Sequence, residues 1–187
     1  SPDAPTERYL YYVSILQNDK LNRVTPETLE GYHNYEISPK SKYAFHTFSN
    51  YYTRPFRSIV SLPNHSFIGE TKKLSEITST LQKKSHPLEF FKITTVDEVS
   101  MDGWIVKPTD FDPTKKYPVL FYFYSQPAGQ TGVNRFGVGR NGLYDGRLGE
   151  DGYVYVTFDG RGTPSPKGRA WRKAIYRKIG IINVRDM

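Results

Sequence analysis

Residues 117–124 read Tyr-Pro-Val-Leu-Phe-Tyr-Phe-Tyr, and seven of these eight are apolar or aromatic. The eighth is Pro118, near the start, where a strand tolerates it. The run is too short for a membrane span, and its aromatic content favours a strand buried on both faces over a helix. It opens into a turn, Ser125, Gln126, Pro127, Ala128 and Gly129, with Tyr124 at its tip. A buried central strand ending in a Gly/Pro-rich loop is where α/β proteins place function.

A second apolar strand is expected over 151–158, closed by the turn Asp159, Gly160, Arg161, Gly162. Between the two lies a glycine-rich stretch, 126–149, with seven glycines and no clear period. After the second strand, Trp171, Ala174, Ile175 and Ile179 share a stripe, which predicts a helix over 169–179 with Gly180 as its left-handed C-cap. Two buried strands joined by a crossover, with a helix following the second, predict an open α/β sheet. Ahead of them, 88–96 and 100–108 read as a hairpin around 96–99.

The first part of the chain alternates instead. Strands are expected over 9–15, 21–25, 33–37, 43–48 and 56–62, with turns such as Ser38, Pro39, Lys40, Ser41, Lys42 between them. Short strands with turn signals every ten residues or so indicate a sandwich, barrel or propeller. Residues 9–25 and 43–70 repeat a strand, turn, strand grammar that successive propeller blades share. At 73–83 the period changes: Leu74, Ile77 and Leu81 mark one face of a short helix, and a domain boundary is expected near 84–87.

Fifteen Tyr and eleven Phe supply core material and lean towards β structure. There is no cysteine, which excludes disulfides, thiolate metal sites and a cysteine nucleophile. The net charge is +7, but residues 160–187 hold eight basic residues against the single acid Asp186, which leaves 18 of each sign elsewhere. The excess is thus confined to one terminal segment, while the aromatics sit in the strands. Such segregation reads as a core plus a solvated basic face rather than a nucleic-acid groove, in which the two are interleaved.

His33, His46, His65 and His86 show no metal-binding spacing, and neither metal nor cofactor is expected. Gly137, Gly139 and Gly142 match G-x-G-x-x-G, but no strand directly precedes them, so the match reads as a surface loop. Asp159 and Arg161 read as a structural turn tying neighbouring loops, because arginine is no acid or base near neutral pH. Tyr124 has two readings. It is one more aromatic at a strand end, or a phenolic O–H aimed at a developing oxyanion.

Several segments together resemble the dipeptidyl peptidase IV branch of the prolyl oligopeptidase family. They are residues 35–50, the Asp-Gly-Trp-Ile-Val-Lys-Pro of 102–108, residues 111–120 with their Lys-Tyr-Pro, 124–127, and the Phe-Asp-Gly-Arg-Gly-Thr of 158–163. Trp171, Tyr176 and Gly180 continue the series. The resemblance implies the last blades of a β-propeller over 1–85 and the incomplete start of an α/β-hydrolase domain over 86–187. It implies a serine exopeptidase that releases dipeptides with penultimate Pro or Ala from peptide N-termini, with Tyr124 as an oxyanion donor and Asp159 and Arg161 structural near the site.

The family's nucleophile lies in a Gly-Trp-Ser-Tyr-Gly-Gly elbow. No G-x-S-x-G occurs in residues 1–187, so the triad is expected outside this chain and the chain alone is expected to be inactive. The resemblance also implies a homodimer and a periplasmic or extracellular location; no membrane segment is read in this chain. Gln126 stands where the family usually has glycine, Lys167 precedes Gly168 where it has arginine, and Asn183 begins a stretch where it has an acidic pair. These departures motivate the alternative of a catalytically dead homologue acting as a protein-interaction module.

Overall fold

The computed structural model describes residues 3–16, 20–69 and 87–187. The helix expected over 73–83, His86 and most of the expected boundary segment lie outside them. The chain's own contacts form two compact units, one mainly Glu7–Ser85 with Asn134–Phe136, the other Pro2–Thr6, His86–Val133 and Gly137–Met187.

In the first unit, β1 (Tyr11–Tyr12) and β2 (Asn22–Arg23) form a short antiparallel ribbon. The longer strands expected over 9–15 and 21–25 shrink to these pairs. Val13, Ile15 and Leu16 are exposed, with no facing ladder to extend the strand. The strands β3 (Tyr32–Ile37), β4 (Tyr43–Ser49), β5 (Phe56–Ser61) and β6 (Ser66–Ile68) then make an antiparallel meander in sequence order.

Side chains alternate across a strand, and β4 follows that rule: Ala44, His46 and Phe48 are buried while Tyr43 and Phe45 face outwards. In register, Tyr35 opposes His46 and His46 opposes Ser58, so one face gathers polar rings in its interior.

That interior is held by a directed chain of hydrogen bonds. His33 Nε2 lies 2.9 Å from the Leu29 carbonyl, which can only accept, so this nitrogen carries the proton. His33 Nδ1 is therefore the acceptor for His46 Nε2–H at 2.8 Å, and His46 Nδ1 faces the Ser58 hydroxyl at 3.4 Å. Tyr35 stacks on His46 at 4.7 Å, and its hydroxyl meets His65 Nε2 at 2.9 Å and Thr25 Oγ1 at 2.8 Å. Burial pushes His33 down to about 4 and His46 to about 3, the latter helped by its histidine neighbours.

The second unit is built on β7 (Leu88–Thr94), β8 (Ser100–Val106), β9 (Val119–Tyr122) and β10 (Val154–Phe158), in the spatial order β7-β8-β10-β9. β7 and β8 form the expected hairpin. β10 runs antiparallel to β8 and parallel to β9. Met101, Phe158 and Trp171 form a core that Phe91, Val99 and Phe123 flank. Gly103 is required where β8 meets β10, because a Cβ there would sit 2.3 Å from the Thr157 carbonyl oxygen.

Two expectations are corrected here. The run 117–124 yields β9, which is not the central strand buried on both faces: it is the edge strand of the described sheet, with Val119 and Phe121 exposed. The fully buried strand is β10, whose five residues are all covered because it has a neighbour on each side. The helix expected over 169–179 stops early. α1 (Gly168–Lys173) gives way to turns, and α2 (Ile182–Asp186) follows. Arg177 and Gly180 adopt φ of 56° and 82°, a left-handed backbone that no α-helix continues through. Trp171 and Ile175 are buried, while Ile179 is exposed. Arg169, Arg172, Lys173, Arg177, Lys178 and Arg185 are solvated.

Candidate functional site

Because β9 and β10 run parallel, from Val119 beside Val154 to Tyr122 beside Thr157, both deliver their following loops to the same end of the sheet. The chain leaves β9 into Tyr124 and β10 into the turn that begins at Asp159. Carboxyl ends of parallel strands are where such sheets place ligands.

Tyr124 is half-buried. Its ring lies on Gly129, where a Cβ would come 2.8 Å from Tyr124 Cε1, so the glycine makes room for the ring. Among the described residues nothing hydrogen-bonds its hydroxyl. The backbone on either side is fixed. Thr157, fully buried, donates its hydroxyl to the Tyr122 carbonyl at 2.6 Å. Asn183, on α2, donates its amide to the Ser125 carbonyl and accepts the Gly180 N–H at 3.2 Å. Ser125 Oγ lies beside Gly160, where a Cβ would be 3.7 Å from it.

Asp159 and Arg161, two residues apart, serve different partners. Asp159 accepts the Thr131 N–H at 2.7 Å, the Thr131 hydroxyl at 3.0 Å and the Gly132 N–H at 3.0 Å. Burial raises its carboxyl above the usual range, and these donors oppose the rise. The hydroxyl oxygens of Thr131 and Thr157 lie 3.0 Å apart, with their hydrogens given to Asp159 and to the Tyr122 carbonyl respectively.

Arg161 grips Asp186 of α2 with its backbone N–H at 2.7 Å, its Nε at 2.8 Å and its Nη2, and reaches Asp97 with Nη1 at 2.8 Å. The Asp186 side chain is 1% exposed and that of Arg161 12%. Hydrogen bonds from Thr95 and Arg161 hold the Asp97 carboxyl at about 2. Nearby, Lys167 pairs with buried Asp102 and stands over the Trp171 ring at 4.7 Å.

The three residues singled out in the sequence therefore lie on two loops at one end of the sheet. Of those that hold them, Asp97, Thr157 and Thr131 were not singled out, and Asn183 and Asp186 were noted without a role, since 25 to 64 residues separate Arg161 from its carboxylates. One signal existed: Asp186 is the lone acid among the basic residues after Gly160. Chemically, the loop end offers a phenolic O–H that can donate to a developing oxyanion. Among the described residues no group of three or more His, Cys, Asp or Glu gathers to hold an ion.

In fold this β-rich chain is similar to dipeptidyl peptidase 4 of Porphyromonas gingivalis, with a TM-score of 0.78 and 26% identity, over 96% of this chain and 24% of that one. A dipeptidyl aminopeptidase IV of Bacteroides ovatus shares the fold, with a TM-score of 0.71 over 94% of this chain.

In sequence the chain is 31% identical over 186 residues to a probable dipeptidyl-aminopeptidase B of Aspergillus clavatus, and 34% identical over 188 residues to that of Emericella nidulans. Each match covers 98% of this chain and 20% of the relative. No family model matches. The chain is thus a relative of the dipeptidyl peptidase IV branch, and it spans about one fifth of the length of the curated relatives it matches.

Proposed function

We propose that the chain is a segment of a serine exopeptidase that releases N-terminal dipeptides with penultimate Pro or Ala through an acyl-enzyme, in which Tyr124 donates a hydrogen bond to the oxyanion. Residues 1–85 are the last blades of its propeller, and 86–187 begin its α/β-hydrolase domain. The nucleophile, base and acid of the triad come from outside residues 1–187, so this chain alone is inactive. Full-length molecules pair as homodimers and work on peptides in the periplasm or outside the cell.

The observation that carries this reading is the Tyr124 hydroxyl, without a hydrogen-bond partner among the described residues, at the shared carboxyl end of β9 and β10. Kinship with dipeptidyl-aminopeptidases supports it. An oxyanion forms only where a nucleophile attacks a carbonyl, and one preorganised donor lowers the barrier by stabilising the charge as it develops.

The test uses the full-length gene product that carries residues 1–187. It should release the chromophore from an Ala-Pro chromogenic amide, lose that activity with a fluorophosphonate, and leave the N-acetylated substrate intact. Absence of turnover, with the protein folded, favours the second reading, a non-catalytic interaction module, for which Gln126 in the Tyr124 loop is the motivating residue.

A further inference from the structure

Among the described residues nothing hydrogen-bonds the Tyr124 side chain, yet the backbone on either side of it is fixed at two points, each by one buried side chain. Upstream, Thr157 donates to the Tyr122 carbonyl at 2.6 Å. Downstream, Asn183 donates to the Ser125 carbonyl. The two clamps differ in kind. Thr157 belongs to β10, the strand already paired with β9, so it adds to an existing ladder. Asn183 belongs to α2, which has no ladder to the loop and reaches it only through side chains.

Asn183 is buried and both ends of its amide are used: Nδ2–H goes to Ser125, and Oδ1 accepts Gly180 N–H at 3.2 Å. α2 itself is locked by Asp186, three residues on and one turn away, through Arg161 and on to Asp97. A rigid path therefore runs from the β7–β8 turn through Arg161 and α2 to the peptide that follows Tyr124.

We propose that Asn183 is a positioning residue for Tyr124: by holding the Ser125 carbonyl it sets where the loop presents the phenolic hydroxyl. This rests on the reading of Tyr124 as oxyanion donor. The chemistry requires a neutral donor at 183. An aspartate of the same shape places a carboxylate against the Ser125 carbonyl and has no hydrogen to give, so the clamp opens. A donor displaced by a fraction of an ångström still binds substrate but no longer meets the oxyanion, so the loss falls on kcat rather than KM.

The experiment is a double-mutant cycle in the full-length gene product, with Asn183→Asp, Asn183→Ala, Tyr124→Phe and the Asn183→Asp/Tyr124→Phe pair. Thermal midpoints are recorded for each, so that the shape-conserving Asn183→Asp stands in if Asn183→Ala fails to fold. The expected result is a fall in kcat of roughly 10- to 100-fold for Asn183→Asp with KM little changed. In the Tyr124→Phe background the same substitution should cost almost nothing.

If Tyr124→Phe is impaired while Asn183→Asp is unimpaired, or costs the same in both backgrounds, the Asn183 inference falls and the Tyr124 reading stands. If Tyr124→Phe turns over normally, or the wild type does not turn over, the Tyr124 reading falls and takes this inference with it.

Discussion

At the scale of single residues, the site depends on positions where an atom more or less changes geometry. Gly129 is one. Its ring contact leaves no room for a methyl group, with Tyr124 Cε1 2.8 Å from where Cβ would be. Gly129→Ala should therefore move the ring and lower kcat of the full-length enzyme by roughly tenfold. The thermal midpoint should hardly change, because the loop is not core. Gly103 is the opposite case. A Cβ there meets Thr157 O at 2.3 Å and Phe158 Cβ at 2.8 Å, so Gly103→Ala should cost roughly 1–3 kcal/mol of stability, read from the denaturant midpoint. Tyr124 was legible in the sequence as the tip of an apolar run. Its support was not, because Asn183 lies 58 residues beyond Ser125 and nothing in a lone asparagine announces the carbonyl it will meet.

At the scale of elements, α2 is too short to be stable by itself and is held by its ends. Arg161 and Asp186 form a nearly dry pair; without Arg161 the buried Asp186 carboxylate is stranded, whereas without Asp186 the guanidinium keeps Asp97. Arg161→Ala should cost about 3–5 kcal/mol, read from the denaturant midpoint, Asp186→Ala less, and the two losses should not add when both are made. In the meander, β3 and β4 carry His33 and His46 stacked at 5.1 Å, faced by Tyr35, His65, Ser58 and Arg23. Both histidines titrate in the fold below the ordinary 6.5, at about 4 and about 3. Between those values and 6.5 the unfolded chain binds more protons, so stability is complete above 6.5 and falls as the pH drops, by up to about 1.4 kcal/mol per pH unit for each histidine. Hydrogen exchange of the β3–β5 amides, corrected for intrinsic rate, should show freer opening at about pH 5 than at about pH 7.5; equal protection at both would contradict the assignment.

The same scale shows why part of the fold was readable. Alternation in β4 and the largely apolar β10 are local patterns, and the sequence carried them. The place of β9 is a matter of neighbours, which a run of Tyr, Phe and Val does not encode; an aromatic strand looks alike at the centre and at the edge. The helix over 169–179 misled for a related reason, since its apolar stripe is real up to Ile175 and the left-handed Arg177 that ends it has no distinctive residue type.

At the scale of the whole molecule, the meander's outward face bears Phe45, Ile59 and Ile68, all exposed among the described residues. In residues 1–187 alone this face should bind a hydrophobic dye, and Phe45→Lys with Ile59→Lys should abolish most of that binding. The basic excess is divided, with Arg161 and Lys167 committed to Asp186, Asp97 and Asp102, exposed Arg185 also paired with Asp97, and the other five on the solvated face. On the function proposed above, Tyr124 on the first of the two strand-end loops would donate to an oxyanion whose nucleophile lies outside residues 1–187. The most direct measurement is kcat of the full-length protein and its Tyr124→Phe variant on an Ala-Pro chromogenic substrate. Loss of the donor should lower kcat by about 10²–10³ with the fold intact, and near-normal turnover in the variant would contradict the account.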